Sequence, residues 1–206
     1  DMLLQTADKI FRDHCTQEVL EQAEKGVWPE SLWSHLSTNG LTLVGFDEGQ
    51  GGLGGDSEDA LSLLKLSGYY SAPIPLAEQY LANWLTVKFG AKIQQDSIVI
   101  AGITDFQLPK LVLKNDSWML EGHLKGINWA RSSNEIAVVA EVHDSSEHAL
   151  IFIPTDEFEI SNNLNLAGEP KDDLLLQKYQ VGQEQIMRST SFNRKEFNDL
   201  YKIVKV

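Results

Sequence analysis

The chain has 206 residues, of which 42% are hydrophobic and 23% charged, and a formal net charge of −13. That composition predicts a soluble globular protein, and the acidic balance argues against nucleic acid, whose binders need a basic face to displace counterions. No apolar run approaches the roughly 18 residues that span a bilayer, and a lone cysteine, Cys15, excludes an intrachain disulfide framework or a Cys-rich metal site.

The first half reads as helices. Leu3, Ala7, Ile10, Phe11 and His14 recur at helical spacing. Thr16 is placed to cap a second helix that Gly26 ends, and a third begins at Pro29, with Leu32, Trp33 and Leu36 on one face and Gly40 as its stop. A short apolar run, Leu41 to Val44, leads into Gly45–Gly55, whose six glycines exclude regular structure. Asp56 with Asp59 predicts a capped helix through Leu61, Leu64 and Leu66, broken near Gly68. After the rigid Ser71-Ala-Pro-Ile-Pro75 linker a last helix runs from about Leu76 to Phe89.

The second half changes period. Ile98 to Thr104 is a continuous apolar run, and Leu111-Val-Leu with Trp118-Met-Leu flanks a hairpin turn at Asn115-Asp116-Ser117. Glu135–Val142 and Ala149–Ile153 make a second hairpin around Asp144-Ser-Ser, and Phe158-Glu-Ile and Leu174–Val181 supply further strands. So many short strands predict a sandwich or small barrel. From Phe197 the pattern turns helical again, and residues 185–206 are net basic where the rest is acidic.

Gly49-Gln-Gly51-Gly-Leu-Gly54 is a literal GxGxxG, but a dinucleotide site needs a preceding strand and a βαβ unit. Helices are expected on both sides here, so a tight irregular turn is the leading reading and a ligand-facing loop the other. The five histidines form no HExxH pair, and no GxSxG or GK[ST] occurs. The paired acids Asp47-Glu48 and Asp172-Asp173 read as solvated surface. Gly126-Ile-Asn-Trp129-Ala-Arg131-Ser132-Ser133 sets an aromatic, a guanidinium and two hydroxyls on one short segment. Such a set suits a flat anionic cofactor, with Trp for stacking, Arg for phosphate or a ring carbonyl and Ser for hydrogen bonds. The plainer reading is a core Trp with an exposed Arg.

Trp33-xx-Leu36-xxx-Gly40-Leu41, the glycine loop from Gly45 to Gly55, and Ala72-Pro-Ile-Pro75-Leu resemble the N-terminal helical domain of acyl-CoA dehydrogenases. Asn128-Trp129-Ala-Arg131 followed by Ile136-Ala-Val-Val-Ala is similar to that family's middle β-domain segment, in the form its divergent members carry. The resemblance implies an α+β chain: an all-α N-terminal domain over 1–93, a β-barrel-like middle domain over 94–190, and at 191–206 the start of a C-terminal helical domain that the chain otherwise lacks. It implies FAD as cofactor and α,β-dehydrogenation of an acyl-CoA thioester, with the β-hydride passing to flavin N5. The cofactor-binding residues it implies are Thr104, Trp129, Arg131 and Ser132. The family's catalytic carboxylate lies beyond residue 206, so no catalytic residue is assigned, and no metal is expected. The family's Gly-Ser-Asp flavin loop has no counterpart, since Phe106-Gln-Leu-Pro109 leads straight into the next strand. Two alternatives follow: a cofactor-free subunit of the same fold that scaffolds a partner, or a plain interaction module.

Further expectations are a cytoplasmic location, oligomers of like or unlike subunits formed through the missing C-terminal helices, and an electron-transfer flavoprotein as electron acceptor. The opening Asp1-Met2 reads as a trimmed start, and no signal peptide is expected ahead of it.

Overall fold

The computed structural model describes residues 2–95, 97–102 and 107–204. Five helices come first: α1 (Met2–His14), α2 (Gln17–Glu24), α3 (Glu30–Thr38), α4 (Ser57–Tyr69) and α5 (Leu76–Lys88). Their ends follow the sequence chemistry. The Thr16 side chain accepts from the Val19 N–H at the start of α2. Asp56 and Asp59 form a reciprocal capping box on α4, which satisfies backbone donors that a helix start otherwise leaves open. Gly26, Gly40 and Gly90 take positive φ just past α2, α3 and α5. α4 ends at Tyr69, one residue past Gly68, close to where the sequence places its break.

The Leu41–Val44 run forms a 3-10 turn over Leu41–Leu43. The glycine loop after it folds back on itself: Gly45 N–H donates to Gly54 O at 2.9 Å and Gly54 N–H to Phe46 O at 2.8 Å. With no strand before it among the described residues, the loop is a tight turn between helical segments and not a dinucleotide cradle. Gly51 sits at φ 90°, and a Cβ on Gly52 would lie 2.0 Å from the Phe46 carbonyl oxygen.

Helix α5 lies at the centre of the helical layer, with Leu76, Tyr80, Leu81 and Leu85 buried. Its buried polar groups are paired. Gln79 Nε2 donates to Asn83 Oδ1 at 3.1 Å, Asn83 Nδ2 to Thr42 O at 3.0 Å, and Thr86 Oγ1 to Ala82 O at 2.8 Å. Gln79 Oε1 also accepts from Val99 N–H at 2.9 Å, which ties the helical layer to the first strand.

The strands are β1 (Val99–Ala101), β2 (Lys110–Lys114), β3 (Ser117–Asn128), β4 (Glu135–Val142), β5 (His148–Pro154), β6 (Ile160–Ser161), β7 (Lys171–Val181) and β8 (Met187–Ser189). They form one mixed sheet in the order β6-β7-β3-β2-β4-β5-β8, with β1 parallel to β4. The β2–β3 hairpin turns on Asn115 and Asp116, both at positive φ, as a two-residue hairpin turn of this class requires.

β4 and β5 read as nearly unbroken apolar runs because both faces are covered. Ile136, Val138 and Ala140 of β4, with Ala149, Ile151 and Ile153 of β5, pack into the core they share with Leu120, Leu124, Leu174 and Leu176. The alternate residues Ala137, Val139 and Leu150 join the helical core with Leu81 and Leu85. The sheet therefore curls round its own core, barrel-like, and lays the outer face of β4–β5 on the helices. A last helix, α6 (Arg194–Val204), returns to the helical layer, where Phe197 is buried with its ring centroid 6.1 Å from that of Trp84.

Candidate functional site

The expected cofactor segment begins where β3 loses register with β7. A shift falls between Leu124 and Ile127, around Gly126 at φ 65°, whose N–H donates to Asp173 Oδ1 at 2.7 Å. A bulge of this kind bends a strand and re-aims the residues after it. Trp129 follows at φ 63°, a left-handed conformation rare for a bulky residue and costing about 1–3 kcal/mol. A 3-10 turn over Ala130–Ser132 then leads back towards the sheet. Ser133 Oγ donates to Ala130 O at 2.9 Å, and Asn134 Oδ1 accepts from Ile98 N–H at 2.8 Å, so β4 starts beside β1.

Trp129 is 6% exposed, and its ring meets Trp28 at 6.4 Å between centroids with the planes at 72°. Trp28 lies between α2 and α3, packs against both cores, and contacts Trp33 at 5.8 Å. Trp129 thus stands at the seam between the helices and the sheet.

Arg131 is held by Asp172. The Arg131 N–H donates to Asp172 Oδ2 at 3.0 Å, its Nε to Oδ1 at 2.9 Å, and a terminal nitrogen to Oδ1 as well. The same terminal nitrogen donates to Asn163 O at 2.5 Å, and the Asn163 N–H donates to Asp172 Oδ1 at 3.3 Å. Asp172 is fully buried, so the reading of Asp172-Asp173 as solvated surface is corrected for Asp172. The signal was present in the alternation: Asp172 shares an inward face of β7 with Leu174 and Leu176. A buried carboxylate needs such a planar, bidentate partner.

Of the four expected cofactor residues, Trp129, Arg131 and Ser132 share this one turn, and Thr104 lies outside the described residues. Ser132 donates its N–H to Trp129 O at 3.0 Å and is part-exposed. The Arg131 guanidinium, expected as a cofactor donor, is bound to Asp172 and to Asn163 O, and the Arg131 side chain stays 28% exposed.

Glu135, just beyond the turn, was not singled out from the sequence. Its Oε2 is buried without a hydrogen-bond partner, and burial pushes its carboxyl above the ordinary 4.5. Strand alternation sets it on the face of β4 that carries Ala137 and Val139 towards the helices.

Hollows among the described residues lie elsewhere. One of about 440 Å³ is at the end of the β4–β5 hairpin, between Lys110 and His148, and one of about 470 Å³ lies along α6 beside Trp84. Among the described residues no group of three or more His, Cys, Asp or Glu side chains could hold a metal ion, and no helix is long and apolar enough to cross a membrane.

Residues 1–101 match the family model of the acyl-CoA dehydrogenase N-terminal domain. No curated protein matches the chain. Among solved structures, the ChsE4–ChsE5 complex from Mycobacterium tuberculosis is similar at 17% identity and a TM-score of 0.77, covering 98% of this chain and 58% of that one. A glutaryl-CoA dehydrogenase from Mycobacterium smegmatis in complex with FADH2 is similar at 14% identity and a TM-score of 0.78, covering 100% and 60%. Butyryl-CoA dehydrogenase from Megasphaera elsdenii is similar at 18% identity and a TM-score of 0.74, covering 98% and 63%. The chain therefore spans about three fifths of the length of these solved chains and shares the fold of their helical and β parts.

Proposed function

Because the chain belongs to the acyl-CoA dehydrogenase family, we propose that it supplies the helical part (1–93) and the β part (94–190) of an FAD-dependent oxidoreductase that acts on an acyl-CoA thioester. The observation that carries this reading is the Trp129 turn, which stands where the helical layer meets the sheet and is braced against Trp28.

The donor chemistry of the turn fits a flavin through an indole and a hydroxyl on one short segment, Trp129 and Ser132, with Thr104 of the same expected set outside the described residues. FAD, when bound, would take the β-hydride of the thioester. The role proposed for this chain's residues is to border the ring and exclude water at the seam, Trp129 by the small part of its surface that Trp28 and the sheet core leave uncovered and Ser132 as a donor. The proton abstraction is assigned to no residue of the chain. An electron-transferring flavoprotein as electron acceptor, assembly with like or unlike subunits, and a cytoplasmic location belong to the same proposal.

The second reading is a cofactor-free subunit that scaffolds a partner. The engagement of Arg131 by Asp172 favours it, since that guanidinium is turned to a carboxylate of its own chain. Flavin absorbance of the purified full-length protein separates the two. Bound flavin that Trp129→Ala lowers more than Trp118→Ala supports the enzyme reading. Absence of flavin, with no rise in melting temperature on adding FAD, supports the scaffold.

A further inference from the structure

We propose that Arg131 is a positioning residue. With Asp172 it latches the turn that sets Trp129 against Trp28, and so fixes the aromatic seam between helices and sheet. The inference rests on the function proposed above only for its flavin measurement; the latch itself is a property of this chain.

Four observations carry it. First, Trp129 holds a left-handed backbone that a free chain would not favour, so its neighbours must over-determine it. Second, those neighbours converge on one carboxylate: Asp172 accepts from the Arg131 backbone, the Arg131 side chain and the Asn163 backbone, and the Arg131 guanidinium closes the loop on Asn163 O. Third, Trp129 N–H donates to Pro170 O at 3.1 Å, two residues before Asp172, so the same stretch grips the turn at both ends. Fourth, Asp172 is fully buried while the Arg131 side chain is 28% exposed, so the carboxylate is the fixed anchor and the arginine the part that can be exchanged. A lysine would keep the charge but lack the planar fork that meets Asp172 and the Asn163 carbonyl together.

The test uses the full-length protein and the variants Arg131→Lys, Arg131→Met, Asp172→Asn and the double variant Arg131→Met/Asp172→Asn. The readout of position is the part of the aromatic circular dichroism that Trp129→Phe removes, since two indoles at this distance and angle couple. Denaturation midpoint and FAD per chain are measured beside it. Arg131→Lys and Arg131→Met are expected to lose that dichroic component while folded. The double variant, which no longer buries an unpaired carboxylate, is expected to regain much of the midpoint lost in Arg131→Met without regaining the component. If FAD binds, its content should follow the component and not the midpoint. Retention of the component in Arg131→Lys or in the double variant would overturn the latch, as would failure of every variant to fold, which would assign the pair to stability alone. A wild-type protein without FAD would remove the proposed function and leave the dichroism to decide the latch.

Discussion

Trp28 and Trp129 meet edge to face, 6.4 Å apart and at 72°, although they come from opposite halves of the chain, one from the turn before α3 and one from the turn after β3. The two cores touch at this pair, because Trp28 packs against both. Edge-to-face pairs contribute about 0.5–1.5 kcal/mol beyond the area they bury. Trp28→Ala loses that and the burial of a large ring. It should lower stability by about 3 kcal/mol, at the low end of the range for a buried aromatic because Trp28 is only part-buried. Urea denaturation measures it, and a loss below about 1 kcal/mol would show that the seam does not depend on this residue.

The glycine loop gives a graded test. A Cβ on Gly52 would lie 2.0 Å from the Phe46 carbonyl oxygen, and one on Gly51 would meet Ile93 O at 2.7 Å from a backbone at φ 90°. Gly49 has nothing within 4 Å. Gly52→Ala and Gly51→Ala should each cost about 1–3 kcal/mol, while Gly49→Ala stays within about 0.5 kcal/mol. Equal effects at all three positions would mean the loop adapts to a side chain anywhere.

The helices and hairpins were legible from local chemistry: Thr16, the Asp56–Asp59 box and the Asn115-Asp116 turn each act over three or four residues. The capping residues that start α2 and α4 are readable because their partners lie within one turn of chain. The site was legible only in part. The segment Trp129–Ser132 is marked by its composition, but its conformation depends on Asp172, which is 41 residues from Arg131 and pairs with it only because β3 and β7 are neighbours. Trp28 gave no local signal, and Glu135 only its place in the alternation of β4, since their roles come from which layer faces which. The continuous apolar runs in β4 and β5 announced burial on both faces, yet not that one face would meet the helices.

The capping box should be separable from packing. Asp56 accepts from the Glu58 and Asp59 N–H groups at 2.8 and 3.0 Å. Asp56→Ala should cost about 1 kcal/mol and Asp56→Asn or Asp56→Ser much less, because both keep a side-chain acceptor at the N-cap. Denaturation midpoints of the three variants check the order, and an alanine no worse than serine would remove the cap from the account of α4.

Glu135 makes stability depend on pH with a definite sign. Burial raises its carboxyl above the ordinary 4.5, so the folded chain holds that proton more tightly than the unfolded chain does. Its contribution is fully present below the unfolded value and is lost as pH rises through the raised folded value, because the charged form is then held with a buried, unpartnered oxygen. Glu135→Gln removes the ionisation and keeps the shape. The stability of the variant relative to wild type should therefore rise as the pH is taken from below 4.5 towards neutrality, and should level off once wild-type Glu135 is ionised in the folded state. Urea midpoints for both proteins across that range measure the difference. A constant difference, or one that shrinks towards neutral pH, would mean that Glu135 ionises in the folded chain as freely as in the unfolded one and that its buried oxygen finds a partner once charged.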